Sequence, residues 1–179
     1  PLVSSGALIA QLIGEVVLAL AAVGFLVRRD LGATLARLGL TGLRPAHLVL
    51  AVLGFAAAWG LNSGMEWIEQ HLFPAQYALD AQATSLIAGG LSFGASIVLG
   101  ISAGAGDELL MRGALQPRLG VVLTALLFAC GHLQYSWFWM LTIALLGALL
   151  GVVRQRSNTT TAILVHAVYD LAAALASRH

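Results

Sequence analysis

The chain is organised around the stretch GDELLMRG at residues 106–113, where three charges interrupt apolar sequence. Charged residues make up only 9% of the chain, yet Asp107, Glu108 and Arg112 fall within six positions. An ionised group in hydrocarbon costs about 3 kcal/mol or more, so it needs a partner, a water-filled cavity or a function. On a helix Glu108 and Arg112 lie one turn apart and can pair, which leaves Asp107 available for another role.

The composition is that of a membrane protein. Of the 179 residues, 59% are hydrophobic, whereas a soluble domain has roughly 45–50% apolar residues. We therefore expect an all-α, polytopic membrane protein of about six transmembrane helices, with one integral membrane domain over residues 1–179 and a motif-bearing core at about 84–177. All nine basic residues are Arg and form no stripe, which argues against a nucleic-acid partner. A single cysteine excludes an internal disulfide and a cysteine-based zinc site.

Apolar runs of bilayer length predict where the spans lie. The expected spans are 6–27, 46–61, 84–115, 121–133, 137–153 and 159–176. Pro117 should end the third, because proline breaks a helix interior. The stretch 62–83, which has acidic and aromatic residues but no Lys or Arg, predicts an interfacial loop with a short amphipathic helix on the membrane. Glu15 on the first span is interpreted as a polar contact to a neighbouring helix or the headgroup region, with a functional role as the alternative.

The arginines predict the orientation. With the amino terminus outside, the loops after spans one, three and five face the cytoplasm and carry seven of the nine arginines. Of the other two, Arg178 falls outside and Arg112 lies within the membrane. The compact chain favours the plasma membrane of a prokaryote as its location.

A carboxylate and two histidines fall at one depth within the predicted membrane. Asp107 lies about 15 Å of helix before the turn at 117–120, and His132 lies about 18 Å after that turn. His166 lies about 12–15 Å beyond the turn at 156–158. One such histidine would usually be a satisfied core residue, but two at matching depth with acids beside them indicate a site.

The neighbours of the two histidines support this interpretation. Phe128 precedes His132 by four residues, and Asp170 follows His166 by four, so each pair shares a helix face. An Asp one turn from a His can orient its ring. A carboxylate with two histidines can deprotonate a water, either as a general base or on a metal, so the expected reaction is hydrolysis of a molecule that enters from the bilayer. Zinc stays open, although the contiguous H-E-x-x-H motif is absent.

These residues resemble the CPBP family of intramembrane proteases, which contains type II CAAX prenyl endopeptidases and bacteriocin-processing or immunity proteins. The family pattern is E-E-x-x-x-R, then F-x-x-x-H, then H-x-x-x-N or H-x-x-x-D. This chain has Asp107-Glu108-x-x-x-Arg112, then Phe128-x-x-x-His132, then His166-x-x-x-Asp170. The match extends over about residues 90–177.

The resemblance implies a role for each position. Asp107 falls where the family's first Glu activates water together with the position of His132. Glu108 and Arg112 would form a structural and electrostatic pair, and Phe128 would pack the site. His166 and Asp170 fall where the family stabilises an oxyanion or holds its second histidine. A divalent metal such as zinc, if bound, would lie on His132 and His166 with Asp107 or Glu108, although general base catalysis needs no metal and is favoured.

Two departures from the family pattern bear on activity. Asp107 is one methylene shorter than Glu, and a displacement of about 1 Å in a catalytic site can cost about a hundredfold in rate. Glu108 could have taken over the role of Asp107 in consequence. An ionised Asp170 cannot donate a hydrogen bond as Asn can, so it would be protonated or would only orient His166.

Three functions follow, in order of preference. The first is an intramembrane endopeptidase that hydrolyses a peptide bond of a membrane-anchored peptide or protein. The second is a catalytically weak or inactive family member that binds membrane peptides, as an immunity protein would. The third is a proton-coupled transporter, against which the absence of an inverted repeat argues. The expected partners are a membrane-embedded or lipid-anchored peptide and the lipid bilayer, and the sequence leaves the oligomeric state open.

Overall fold

A computed structural model describes residues 4–177, so Arg178 and His179 lie outside the described residues. The described part contains helices and no β-strand, which confirms the all-α prediction. The helices are α1 Ser5–Val23, α2 Leu31–Leu38, α3 Pro45–Leu72, α4 Pro74–Ile87, α5 Phe93–Glu108, a π-helical segment Leu109–Leu115, α6 Gln116–Cys130, α7 Trp137–Arg156 and α8 Thr159–Ala176.

Five described helical segments are long and apolar enough to cross a membrane. They are Ser5–Val23, Pro45–Leu72, Phe93–Cys130, Trp137–Arg156 and Thr159–Ala176. The chain is thus an integral membrane protein with a helical bundle, as predicted. The stretch 62–83 differs from the prediction, because α3 continues to Leu72 and α4 follows at once. The third span also begins at Phe93 rather than at residue 84, after a break at residues 88–92.

The segment Phe93–Cys130 reverses its direction at Gly120. The backbone of Gly120 has φ 75° and ψ 175°, a conformation that an L side chain rarely adopts. The guanidinium carbon of Arg112 lies 4.8 Å from the ring centroid of Phe128, although sixteen residues of straight helix would separate them by about 24 Å. The two arms are therefore antiparallel. The reversal lies within the predicted turn at 117–120, but the helix does not end at Pro117 as predicted, because proline is tolerated in the first turn of α6.

Small residues bring the helices of the core close together. A Cβ on Gly104 of α5 would lie 2.6 Å from the main-chain nitrogen of Ala167 on α8, so only glycine fits there. On α7 a Cβ on Gly147 would lie 3.1 Å from the ring of Phe128. These contacts align α5, α6, α7 and α8 around the residues that the sequence motifs contain.

Arginines gather at one end of the bundle. Their side chains donate to main-chain carbonyls there: Arg29 to Val23, Arg37 to Gly113 at 3.0 Å, and Arg118 to Ala22 at 3.0 Å. Burial, followed by the like charges of Arg118 and Arg29, holds the pKa of the Arg37 guanidinium below its ordinary value. The end where α1 stops and the Gly120 turn lies is thus strongly basic.

Candidate active site

A cavity of about 500 Å³ lies between α1, α5, the α6–α7 connection and α8. Its titratable lining residues come from four parts of the chain that are distant in sequence. They are Glu15, Asp107, His132, Tyr135, His166, Tyr169 and Asp170. The carboxylate and both histidines that the sequence predicted at one depth therefore line one cavity.

Glu108 and Arg112 form the buried ion pair that their spacing predicted. Arg112 Nη1 lies 2.9 Å from Glu108 Oε1, and neither side chain is more than 1% exposed. Arg112 also donates through Nη2 to the Gly147 carbonyl at 2.9 Å. The guanidinium faces the ring of Phe128 as well, a cation–π contact. Arg112 thereby links the π-helical segment to α6 and α7. The Glu108 carboxylate balances the positive charge of Arg112.

His166 lies between two carboxylates. Its Nδ1 is 2.9 Å from Glu108 Oε1, and its Nε2 is 3.5 Å from Asp170 Oδ2. A neutral imidazole can donate to only one of them, whereas an imidazolium can donate to both. Glu108 thus contacts both Arg112 and His166, and this sharing fixes the His166 ring at the edge of the cavity.

His132 lies in the short connection between α6 and α7. Its Nδ1 is 3.0 Å from the carbonyl oxygen of Phe128, and a carbonyl can only accept, so Nδ1 carries the proton. The Nε2 lone pair is then available as a proton acceptor. Burial lowers the pKa of His132 and raises the pKa of the Tyr135 hydroxyl in the same connection. His132 is therefore neutral and Tyr135 is a hydrogen-bond donor at neutral pH.

Phe128 packs between the two histidines. Its ring centroid lies 4.9 Å from that of His132 and 5.8 Å from that of His166, both in edge-on geometry. The side chain is buried. Because the Arg112 guanidinium faces the same ring, Phe128 connects the ion pair with both imidazoles.

Comparison with protein families agrees with the motifs. A family model for type II CAAX prenyl endopeptidase Rce1-like proteins matches residues 88–172. Over these residues the chain is similar to the Rce1-like family. The match, which we term the Rce1-like segment, takes in the motif residues from Asp107 to Asp170. No curated protein and no solved structure matches the chain.

The donors in the Rce1-like segment do not fit a metal ion in this arrangement. Residues 4–177 contain no group of three or more His, Cys, Asp or Glu side chains placed to hold one. Both ring nitrogens of His166 face the carboxylates of Glu108 and Asp170. A metal on His166 would have to displace one of them.

The structure brings the predicted site residues together in two groups. Asp107, His132, His166 and Asp170 line the cavity. Glu108 and Arg112 lie behind them and are fully buried, with relative exposures of 0%. Their catalytic and structural roles stay predictions.

Sequence reasoning did not place Tyr135 and Tyr169 at the cavity, and it kept a functional role for Glu15 only as the alternative. Tyr135 and Tyr169 carry no sequence signal that separates them from aromatic residues at a membrane interface. Glu15 does carry one, because it is the only acidic residue of the first span. Its place beside Asp107 depends on how α1 packs against α5.

Proposed function

We propose that this protein is an intramembrane endopeptidase that hydrolyses a peptide bond of a membrane-anchored peptide or protein. The observation that carries the proposal is the cavity that Asp107, His132, His166 and Asp170 line together. The similarity of residues 88–172 to the Rce1-like family supports a CAAX-type protease in general. The lining side chains can supply general acid–base catalysis within the bundle.

In the proposed reaction, Asp107 and His132 activate a water. The acid–base pair accepts one proton from the water as the water oxygen bonds to the scissile carbonyl carbon. The proton passes to the amide nitrogen as the C–N bond breaks, so the site returns to its starting state. The Nε2 of His132 has the free lone pair for this transfer, because Nδ1 is held by the Phe128 carbonyl.

His166 and Tyr135 are suited to stabilise the developing oxyanion. The Nε2 of His166 lies 3.5 Å from Asp170, which is longer than a strong charge-assisted hydrogen bond. As an imidazolium, His166 donates from Nε2 as well as from Nδ1, and a substrate oxygen can then compete with Asp170 for the Nε2 proton. The Tyr135 hydroxyl lines the same cavity and is protonated at neutral pH. Asp170 then serves to orient His166 rather than to donate.

A second candidate is a binding protein of low or no activity, as an immunity function would require. Asp107 stands where the family pattern has Glu, and its shorter side chain favours this alternative. The two candidates differ in what a longer side chain at 107 does. A degenerate enzyme would gain activity from Asp107→Glu, and a competent one would not depend on it.

The deciding experiment is cleavage of membrane-anchored peptides by the purified protein in proteoliposomes. The panel contains a prenylated peptide with a carboxy-terminal CAAX sequence and apolar single-span peptides. Cleavage by the native chain that is lost in Asp107→Ala and His132→Ala supports the peptidase. Cleavage by Asp107→Glu alone supports the degenerate, peptide-binding member. Cleavage by the native chain that persists in both Ala variants overturns the assigned mechanism, and no cleavage by any form overturns the peptidase.

We also propose that the amino terminus lies outside and the arginine-rich end faces the cytoplasm, in the plasma membrane of a prokaryote. The gathering of Arg29, Arg37 and Arg118 at one end supports this orientation. A cysteine placed in the arginine-rich loop at residue 42 of a Cys130→Ala chain should be labelled by an impermeant thiol reagent only after cells are opened. Labelling of intact cells would reverse the orientation.

A further inference from the structure

A carboxylate from outside the Rce1-like segment also lies in the cavity. Glu15 is on α1, far from the matched residues 88–172, and it lines the cavity together with Asp107, His132 and His166. A Cβ on Gly106 would collide with the Glu15 carboxylate. Glu15 therefore lies against the residue immediately before Asp107, and the glycine leaves the space for it.

Only one of the two Glu15 carboxylate oxygens has a hydrogen-bond partner among the described residues. Oε1 accepts a hydrogen bond from Gln11 Nε2 at 2.9 Å. Oε2 is buried and finds no hydrogen-bond partner among the described residues. A buried oxygen without a partner costs about 1–3 kcal/mol, so it requires an explanation such as a bound water or a function.

The position of Glu15 can compensate for the short side chain of Asp107. The family pattern has Glu at position 107, and Asp withdraws the carboxylate from the cavity by about one methylene, which is costly in a catalytic site. Glu15 enters the same cavity with a longer side chain and from the neighbouring helix. A second carboxylate there can hold the water that Asp107 reaches less well.

We propose that Glu15 acts together with Asp107 as the second carboxylate of the site, holding and orienting the attacking water. This rests on the proposed peptidase function. The chemical balance is unchanged: one water proton goes to Asp107 and His132 and then to the amide nitrogen, and the hydroxyl goes to the carbonyl carbon. Glu15 is thus a positioning residue that the family pattern does not contain.

The test is a double-mutant cycle on the panel peptide that the native chain cuts fastest. Glu15→Gln keeps the side-chain length and removes the charge, and it should lower kcat about 100-fold with KM little changed. In an Asp107→Glu chain, the same Glu15→Gln change should cost much less, because the longer carboxylate at 107 then reaches the water itself. Such non-additivity is the mark of two residues that share a task.

The matched control is Asp30→Asn, which makes the same chemical change outside the cavity. Asp30 caps α2 through a hydrogen bond to the Ala33 nitrogen, and Asn preserves such a cap, so kcat should stay at the native value. Equal losses from Glu15→Gln in both backgrounds, or no loss in the native chain, would overturn the proposal. In either case, loss of cleavage in the His132→Ala variant would still support the proposed peptidase function. A native chain that cuts no peptide removes both proposals.

A second measurement tests the geometry without catalysis. In a Cys130→Ala chain, Glu15→Cys with Asp107→Cys should be joined by a short bifunctional thiol reagent. The control pair is Val17→Cys with Asp107→Cys, since Val17 lies two residues along α1 and is 57% exposed. Cross-linking of the first pair alone supports the proposal, whereas equal yields or none for the first pair would overturn it.

Discussion

Two polar clusters in this bundle each contain two carboxylates and differ in structure. The site cluster consists of Glu108, Arg112, His166 and Asp170, and the cap cluster consists of Glu69, Asp80 and Ser136. In the site cluster, Glu108 contacts a guanidinium and an imidazole, both at 2.9 Å. His166 and Asp170 open onto the cavity.

The cap cluster has acids but lies outside the cavity lining. Asp80 accepts from the Ser136 nitrogen at 2.7 Å and from the Ser136 hydroxyl at 2.6 Å. Glu69 lies 3.3 Å from the same hydroxyl. Ser136 is the N-cap of α7, and the positive end of a helix dipole favours carboxylates. These acids join α3 and α4 to the start of α7.

The comparison shows that a buried acid in a membrane bundle is not by itself evidence of catalysis. Both clusters hold polar groups against one another inside the bundle, and only one of the two borders a space that a substrate can enter. The expected effects of mutation separate accordingly into loss of turnover, loss of stability, or both.

The largest expected effect is on turnover at the cavity. Asp107→Ala and His132→Ala should each lower kcat by about 10²–10⁴-fold, because each removes a group that moves the water proton. Their unfolding midpoints in detergent should stay near the native value. Asp80→Asn in the cap cluster is the matched control and should leave kcat close to native. An equal loss of kcat from Asp80→Asn would abolish the distinction between the clusters.

The next effect is on the stability of the site cluster. Arg112→Met leaves Glu108 buried without its guanidinium, which should cost about 3–5 kcal/mol in the free energy of unfolding. Adding Glu108→Leu removes the stranded charge and should recover much of that loss. Denaturant titration in mixed micelles measures both. If the double variant is no more stable than Arg112→Met alone, the ion pair is not the cause of the loss.

The helix packing beneath the site cluster should respond more mildly. Gly104→Ala places a Cβ 2.6 Å from the Ala167 nitrogen, so α5 and α8 must separate at a cost of about 1–3 kcal/mol. Because α5 carries Glu108 and α8 carries His166, turnover should fall as well. Gly94→Ala is the control on the same helix, where no atom lies within 4 Å of the added carbon. Similar thermal unfolding shifts in the two variants would contradict the close α5–α8 contact.

The smallest effect is expected at the cap cluster. Ser136→Ala removes the hydroxyl that binds Asp80 and caps α7, which should cost about 0.5–2 kcal/mol of stability. Ser136→Thr keeps a hydroxyl and should retain most of it. Peptide cleavage by Ser136→Ala should proceed at the native rate once the protein is folded. A large loss of turnover with full stability would place the cap cluster in the reaction.

Much of the site could be predicted because its signals are local. The four-residue spacing from Glu108 to Arg112 fixes a shared helix face whatever surrounds it, and the structure shows that ion pair. The turn between the two arms also followed from sequence, although the backbone reverses at Gly120 rather than at Pro117. Matching depths then placed His132 and His166 together, and they line one cavity.

Other features could not be predicted because they depend on which helices become neighbours. The stretch 62–83 has no Lys or Arg and suggested a membrane-surface loop, yet Glu69 and Asp80 are buried at 0% and 3% exposure. Their partner is Ser136, far along the chain. The cost of burying these acids is offset by the amino-terminal end of α7, which is far from both acids in the sequence.

The amino-acid sequence by itself determined that this is an α-helical membrane protein whose acids and histidines recur at a common depth. It did so because hydropathy and helical spacing act over a few turns of one helix. Only the tertiary structure decided that Glu108 also faces His166, that Asp107 faces the cavity, and that Glu15 joins it from α1. Those contacts arise where glycines let particular helices approach, and that choice of neighbours is a property of the whole bundle.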